Sequence, residues 1–188
     1  ENGKVKKDII PYFKHNGTEF KTGLLDEFKN KRPLYGLEAV NSASMPLIIV
    51  EGEKCASALQ SLGFQAVSWL GGTNTASIAA WDELEGYSFQ EVMLLPDNDE
   101  PGLSAMQAVY KRLMAADVAI GQISIVKFPG LPIGGDVCDF LKENYEELYS
   151  WDTIGSLNNN PDKDTIAHAI GKDLIAFKEN VPIGWQAI

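Results

Sequence analysis

The sequence predicts an α/β domain: a mostly parallel sheet of about four strands, flanked by helices and preceded by a small β-rich lead-in. Three observations carry that expectation. From Leu47 onward, short apolar runs alternate with helix-like segments in the order β-α-β-α-β-α-β-α, which implies a mostly parallel sheet with right-handed crossovers. The first of these runs, Leu47–Val50, is wholly apolar, as a strand covered on both faces should be. Carboxylates stand just beyond the first and third runs, at the carboxyl ends where an open α/β sheet gathers its ligands.

The elements follow in order. Residues 1–33 form the lead-in, where "DIIPYFKHNGTEFKTGLL" alternates apolar and polar positions around His15-Asn16-Gly17. Asn-Gly is a strong hairpin-turn signal. "RPLYGLEAVNSASMP" then reads as a turn, a short helix and a loop. After the Leu47–Val50 strand comes a helix over 53–62, closed by Gly63 at the preferred helix-stop position. Residues 66–70 give a second strand, ended by Gly71-Gly72, and 75–84 a helix. The third strand, 92–95, runs into Pro96. Pro101 suits the first turn of the next helix, in which Leu103, Met106, Tyr110 and Leu113 share one face. A fourth strand over 123–128 precedes a helix over 140–149 opened by Asp139. "SLNNNPDKD" marks a polar linker within 150–164, and Ile166, Ile170 and Phe177 give a weakly amphipathic helix over 163–179. The organisation is thus a lead-in over 1–33, a central domain over 34–150, and a linker with a C-terminal helix over 151–188.

Composition narrows the function classes. With 188 residues, 45% of them hydrophobic, the chain is long enough to bury a real core. No stretch approaches the length of a membrane span and no signal peptide is visible. Glu1 in place of Met leads to the expectation of a piece of something longer, or of a processed chain. The net charge of −10 argues against a broad nucleic-acid-binding surface. It is unevenly spread: residues 1–32 carry eight Lys/Arg against five acids, a net of +3, and the remainder carries −13. The basic arm could guide a polyanion toward the acidic core, or be a solvated hairpin. Cys55 and Cys138 lie far apart without CxxC or Cys/His pairing, which speaks against a structural zinc site. They read as buried free thiols of a cytosolic, cytoplasmic protein. His15 and His168 lie outside the acidic clusters and read as surface or packing residues.

Three acidic clusters carry the chemistry. Glu51 in "PLIIVEGEK" follows a buried strand and precedes Gly52, where the backbone turns tightly and a ligand can come close. It is a candidate metal ligand or general acid/base; its structural alternative is a helix-start charge on the helix dipole. Asp97 and Asp99 in "MLLPDNDEPG" form a D-x-D pair able to chelate one cation or bridge two, or an ordinary acidic turn. Asp136 and Asp139 in "GGDVCDFL" add acid to the same crevice, although Asp139 could simply cap the helix after it. Converging carboxylates repel unless a cation neutralises them, and hard oxygen ligands suit Mg²⁺ or Mn²⁺. Lys54 could balance charge or meet a phosphate, or be an exposed helix lysine. Gly71-Gly72-Thr73-Asn74 could offer backbone N–H groups to an anion, but it has neither P-loop nor dinucleotide-fingerprint spacing.

The order "IIVEGEK", "LGGTN", "LLPDNDEPG", "GGDVCDFL" resembles the Toprim domain of primases, topoisomerases, some nucleases and recombination mediators. It is most similar to the variant in phage and plasmid primases and primase–helicases, where "RPLYGL", here residues 32–37, often precedes the glutamate motif. The resemblance covers about residues 31–150 and implies a Rossmann-like Toprim fold. It implies that 34–150 is the catalytic domain and 1–33 part of a larger primase region. It further implies Glu51 as general acid or base, Asp97 and Asp99 as the metal pair, and Asp136 or Asp139 as the additional acid of the primase branch. The D-V-C-D spacing leaves that last choice open. The implied activity is Mg²⁺- or Mn²⁺-dependent nucleotidyl transfer, making short RNA primers from nucleoside triphosphates on single-stranded DNA. Lys54, Gly71, Gly72, Thr73, Asn74 and Arg32 are the candidate phosphate or nucleotide contacts. A zinc ribbon and a helicase would be expected in the full-length chain or on a partner, since this chain has neither, and no membrane partner is implied.

Two other readings use the same residues. A Toprim nuclease would employ these acids with water as nucleophile, and a non-catalytic Toprim module would only bind nucleic acid or a partner. No tyrosine carries a motif marking it as a topoisomerase nucleophile. A haloacid-dehalogenase-like phosphatase shares a D-x-D after a strand. It normally places threonine or valine two residues beyond the second Asp, where this chain has Pro101, and places the motif near the start of the fold.

Overall fold

A computed structural model describes residues 12–15, 19–23, 26–41, 43–145 and 163–186. In the lead-in, β1 (Tyr12–His15) pairs antiparallel with β2 (Glu19–Thr22), with Tyr12 opposite Thr22 and His15 opposite Glu19; the expected Asn16-Gly17 turn lies outside the described residues. The main sheet contains β3 (Leu34–Tyr35), β4 (Leu47–Val50), β5 (Gln65–Trp69), β6 (Ser88–Leu95), β7 (Ala119–Val126) and β8 (Lys178–Asn180). Their spatial order is β3-β5-β4-β6-β7-β8. The four inner strands are parallel and correspond to the four strands expected, with β6 and β7 each beginning four residues earlier. The two edges are antiparallel additions.

Alternation along each inner strand splits the core into two layers. Leu47 and Ile49 of β4, with Val92 and Leu94 of β6, face α2 (Glu100–Ala115), whose Met106, Val109 and Leu113 are buried against them. Ile48, Val50, Met93 and Leu95 face the opposite way. They pack on α1 (Glu53–Ser61), α3 (Val137–Tyr145) and α4 (Lys163–Ala176) through Leu59, Leu141 and Ile170. Both faces are therefore covered, which is why β4 has no polar residue. A short α5 (Ile183–Gln186) closes the first layer by setting Trp185 against Tyr110, the rings tilted at 49°. No helix among the described residues is long and apolar enough to cross a membrane.

Four local expectations differ from the structure. The helix over 75–84 is instead two 3₁₀ segments, Thr73–Ile78 and Trp81–Leu84. The break has a physical cause: Arg32 donates its N–H to the Ile78 carbonyl and accepts from the Ala80 N–H, at 2.9 and 2.8 Å. Backbone groups used in that bridge cannot continue a helical ladder. Leu34–Tyr35 is a short strand rather than a turn, opposite Trp69 and Ser68 of β5. β8, expected as the end of a helix, pairs with β7 because Lys178 meets Glu91 of β6 at 2.9 Å, while Glu91 also accepts from Ser124 at 2.7 Å. The α3 helix starts at Val137, three residues before its expected start; positions 146–149 and most of the linker lie outside the described residues.

Trp81 anchors the irregular segment. It is fully buried, donates its indole N–H to the Ala76 carbonyl at 2.8 Å, and meets Trp69 edge-on at 5.8 Å between ring centroids. We expect Trp81→Ala to lower stability by about 3–5 kcal/mol, read by urea denaturation; a change below about 1 kcal/mol would mean the segment packs otherwise.

Candidate functional site

The site is built where β4, β6 and the loop before α3 end. Glu51 follows the last residue of β4, and Gly52, at φ 80°, turns the chain into α1. Asp97 and Asp99 follow β6 after Pro96. Asp99 is the N-cap of α2 and accepts a hydrogen bond from the Gly102 N–H at 2.7 Å. Gly102 permits the closest approach in the site. A Cβ there would stand 2.6 Å from the Asp97 carbonyl oxygen and 2.9 Å from Glu51 Oε1.

Asn98 fastens the D-x-D loop to the glycine loop that carries the last two acids. Its N–H donates to the Gly135 carbonyl at 2.8 Å, and its carbonyl accepts from the Gly134 N–H at 3.1 Å. Its side-chain amide adds a 2.7 Å bond to the Leu131 carbonyl. On the far side of that loop, Asp136 and Asp139 form a reciprocal box. Each accepts from the other's backbone N–H at 3.0 Å, across the first turn of α3. Both residues thus cap the helix. A cleft of about 260 Å³ lies along the D-x-D loop, lined in part by Asp97, Asp99, Lys127 and Phe128. A second, of about 450 Å³, lies beyond Gly134, with Asp139 and Lys142 on its wall.

Electrostatics bind these loops into one centre. Burial first, and then the charges of Glu51, Asp136, Asp99 and Asp139, push the Asp97 carboxyl up to about 7. Five carboxylates from three loops therefore act on one another. Glu51 is raised chiefly by burial, with Asp99 adding to the rise and the Thr73 hydroxyl and the Asp97 backbone amide opposing it. Thr73 donates to Glu51 Oε2 at 3.0 Å, whereas Oε1 is buried with no hydrogen-bond partner among the described residues. An unpartnered buried carboxylate oxygen aimed into an acidic cluster fits a cation or a proton donor from a ligand.

The other expected contacts divide. Lys54 is exposed on the first turn of α1, its Nζ 3.8 Å from Asp136 Oδ2 at the rim. Gly71 and Gly72 both have positive φ, 104° and 70°, and they bring Thr73 beneath Glu51; Asn74 is exposed on the same loop. Arg32 is drawn elsewhere, its backbone bridged to Ile78 and Ala80 and its guanidinium donating to the Phe28 carbonyl at 3.0 Å. Asn98, Gly102 and the hydroxyl role of Thr73 escaped the sequence reading. Asn98 and Gly102 lie within "PDNDEPG", so their signal was proximity alone. Cys55 and Cys138 also meet behind the site, Sγ to Sγ at 3.5 Å.

The direction of the Asp97 shift fixes a pH dependence. Its folded value of about 7 stands above the reference of 3.8, so between those values the folded chain holds a proton that the unfolded chain has released. Stability in chelator should therefore fall as pH rises through that window. We expect Asp97→Asn to raise the melting temperature at pH 8 and to leave it nearly unchanged at pH 4. Equal effects at both values would contradict the crowding of charge at this residue.

No curated protein matches the chain. Among solved structures, it is similar to the Aquifex aeolicus primase, crystallised as its zinc-binding and RNA polymerase domains. The two are 23% identical with a TM-score of 0.46, over 78% of this chain and 34% of that one. The chain thus spans about a third of that primase's length. The Toprim-like family matches residues 48–141, from within β4 into α3, and so takes in all five carboxylates. The chain belongs to the Toprim-like family.

Proposed function

We propose that this chain is the catalytic Toprim module of a DNA primase-like protein, joining ribonucleotides into a primer on single-stranded DNA. The observation that carries the reading is the unpartnered Oε1 of Glu51 within a cluster of four aspartates. With Oε2 held by the Thr73 hydroxyl and Oε1 unpartnered, the Glu51 carboxylate is the group proposed to take a proton from a ribose 3′-hydroxyl as it attacks. Burial favours the proton on Glu51, which suits a group that accepts one and then passes it on.

The donor set is all oxygen, which fits Mg²⁺ or Mn²⁺ held by Asp97 and Asp99 with Asp136 or Asp139. Such an ion, when bound, would neutralise charge on the triphosphate and on the departing pyrophosphate. The protein's own contribution is placement. Asn98 fixes the D-x-D loop against the glycine loop, and the Asp99 cap fixes it to α2. Lys54 at the rim, and the backbone N–H groups of Gly71, Gly72, Thr73 and Asn74, are the groups proposed to meet phosphate oxygens. The net-positive lead-in is proposed to approach the template, with a zinc ribbon and a helicase as the accompanying domains. Primases of this kind act in the cytoplasm, which is the compartment proposed here.

Glu51→Gln tests the role of Oε1, since it keeps the shape of the side chain and removes its basicity. Primer synthesis by the full-length protein, on a single-stranded template with ribonucleotides and Mn²⁺, should fall by about 10²–10⁴-fold. The melting temperature should not drop. Unchanged synthesis would reject Glu51 as the base, and template nicking without any primer formation would turn the reading to a nuclease.

A further inference from the structure

Behind the acidic crevice, the first turns of α1 and α3 bring two cysteines together. Cys55 is the third residue of α1 and Cys138 the second of α3, and both side chains are buried. Their sulfurs lie 3.5 Å apart. Asp136, the residue just before α3, completes a triangle: the two sulfurs and one of its carboxylate oxygens all lie within 4.8 Å of one another. The cysteines are sealed in the core, whereas the Asp136 side chain keeps 23% of its exposure. An ion could therefore reach the sulfurs past Asp136.

We propose that Cys55, Cys138 and Asp136 form a second cation site, one that takes a thiophilic ion such as Zn²⁺ and borders the all-oxygen site of Asp97 and Asp99 at Asp136. The sulfur separation distinguishes two chemistries. A disulfide bond is about 2.05 Å long, so the two sulfurs as they stand are unbonded thiols. Two thiolates on a tetrahedral zinc ion, with bonds of about 2.3 Å, stand about 3.8 Å apart. The observed spacing is within a few tenths of an ångström of that arrangement. Two sulfurs and one carboxylate oxygen suit a borderline-soft ion and disfavour Mg²⁺. They also leave a fourth tetrahedral position for water.

Binding involves no redox change. Two S–H bonds break, two metal–sulfur bonds form, and the two protons leave to the buffer. Two thiolates and a carboxylate around a divalent ion carry one net negative charge, and the Lys54 ammonium, 3.8 Å from Asp136, is placed to balance it. The site shares Asp136 with the crevice, so an ion on the sulfurs draws that carboxylate away from the other acids.

The test is titration with Cd²⁺ in excess Mg²⁺, followed by the ultraviolet sulfur-to-cadmium charge-transfer band. The wild-type chain should develop the band to one equivalent, Cys55→Ser and Cys138→Ser should each lose it, and Asp97→Asn should keep it. No band at stoichiometric Cd²⁺, a band that survives in the double cysteine variant, or its loss in Asp97→Asn would overturn the proposal. Circular dichroism checks that the cysteine variants fold. Should they not, Asp136→Asn replaces them, with Cd²⁺ affinity expected to weaken by at least about tenfold; an unchanged affinity would overturn the site.

Discussion

Mutual repulsion among five carboxylates is the constraint on which the rest of this structure turns. Left to themselves, Glu51, Asp97, Asp99, Asp136 and Asp139 would separate into solvent. They are held together by backbone, through the Asn98 bonds to residues 131–135, the Asp99 cap on Gly102 and the reciprocal box at α3. Helix dipoles offset part of the repulsion, because Asp99 and Asp136 sit at the positive ends of α2 and α3. The remainder adds to burial at Asp97, whose carboxyl the two together push up to about 7. A bound cation would relieve crowded charge of this kind.

The parallel sheet is what makes such crowding possible. β4 and β6 run side by side in register from Leu47 and Val92 to Val50 and Leu95, so their chains leave the sheet at the same level. Glu51 and the D-x-D loop emerge next to each other for that reason. Two buried layers, one on each face, keep these strand ends from shifting. Gly102 then lets α2 start within contact distance of both.

Much of this was legible in the sequence because it depends on local pattern. An apolar run such as Leu47–Val50, bounded by turn signals and too short for a helix, reads as a strand covered on both faces, and the acid after it then stands at the sheet's ligand edge. What was not legible depends on partners far along the chain. The helix expected over 75–84 failed because Arg32, more than forty residues earlier, takes the backbone groups at Ile78 and Ala80. The β8 strand reads only as "KEN", and it is set by an ion pair to Glu91, 87 residues away. Asp136 and Asp139 could not be ranked from spacing, and their reciprocal capping shows why: each depends on the other's backbone. The Cys55–Cys138 contact was hidden by a separation of 83 residues.

The central claim is that these acids form a cation site completed by nucleotide. Calorimetric titration of Mn²⁺, with and without a nucleoside triphosphate, tests it most directly. It should be run on this chain and on the Asp97→Asn/Asp99→Asn double variant. The account predicts binding to the wild type that tightens with nucleotide and vanishes in the variant. Identical titrations of the two proteins with nucleotide present would contradict it.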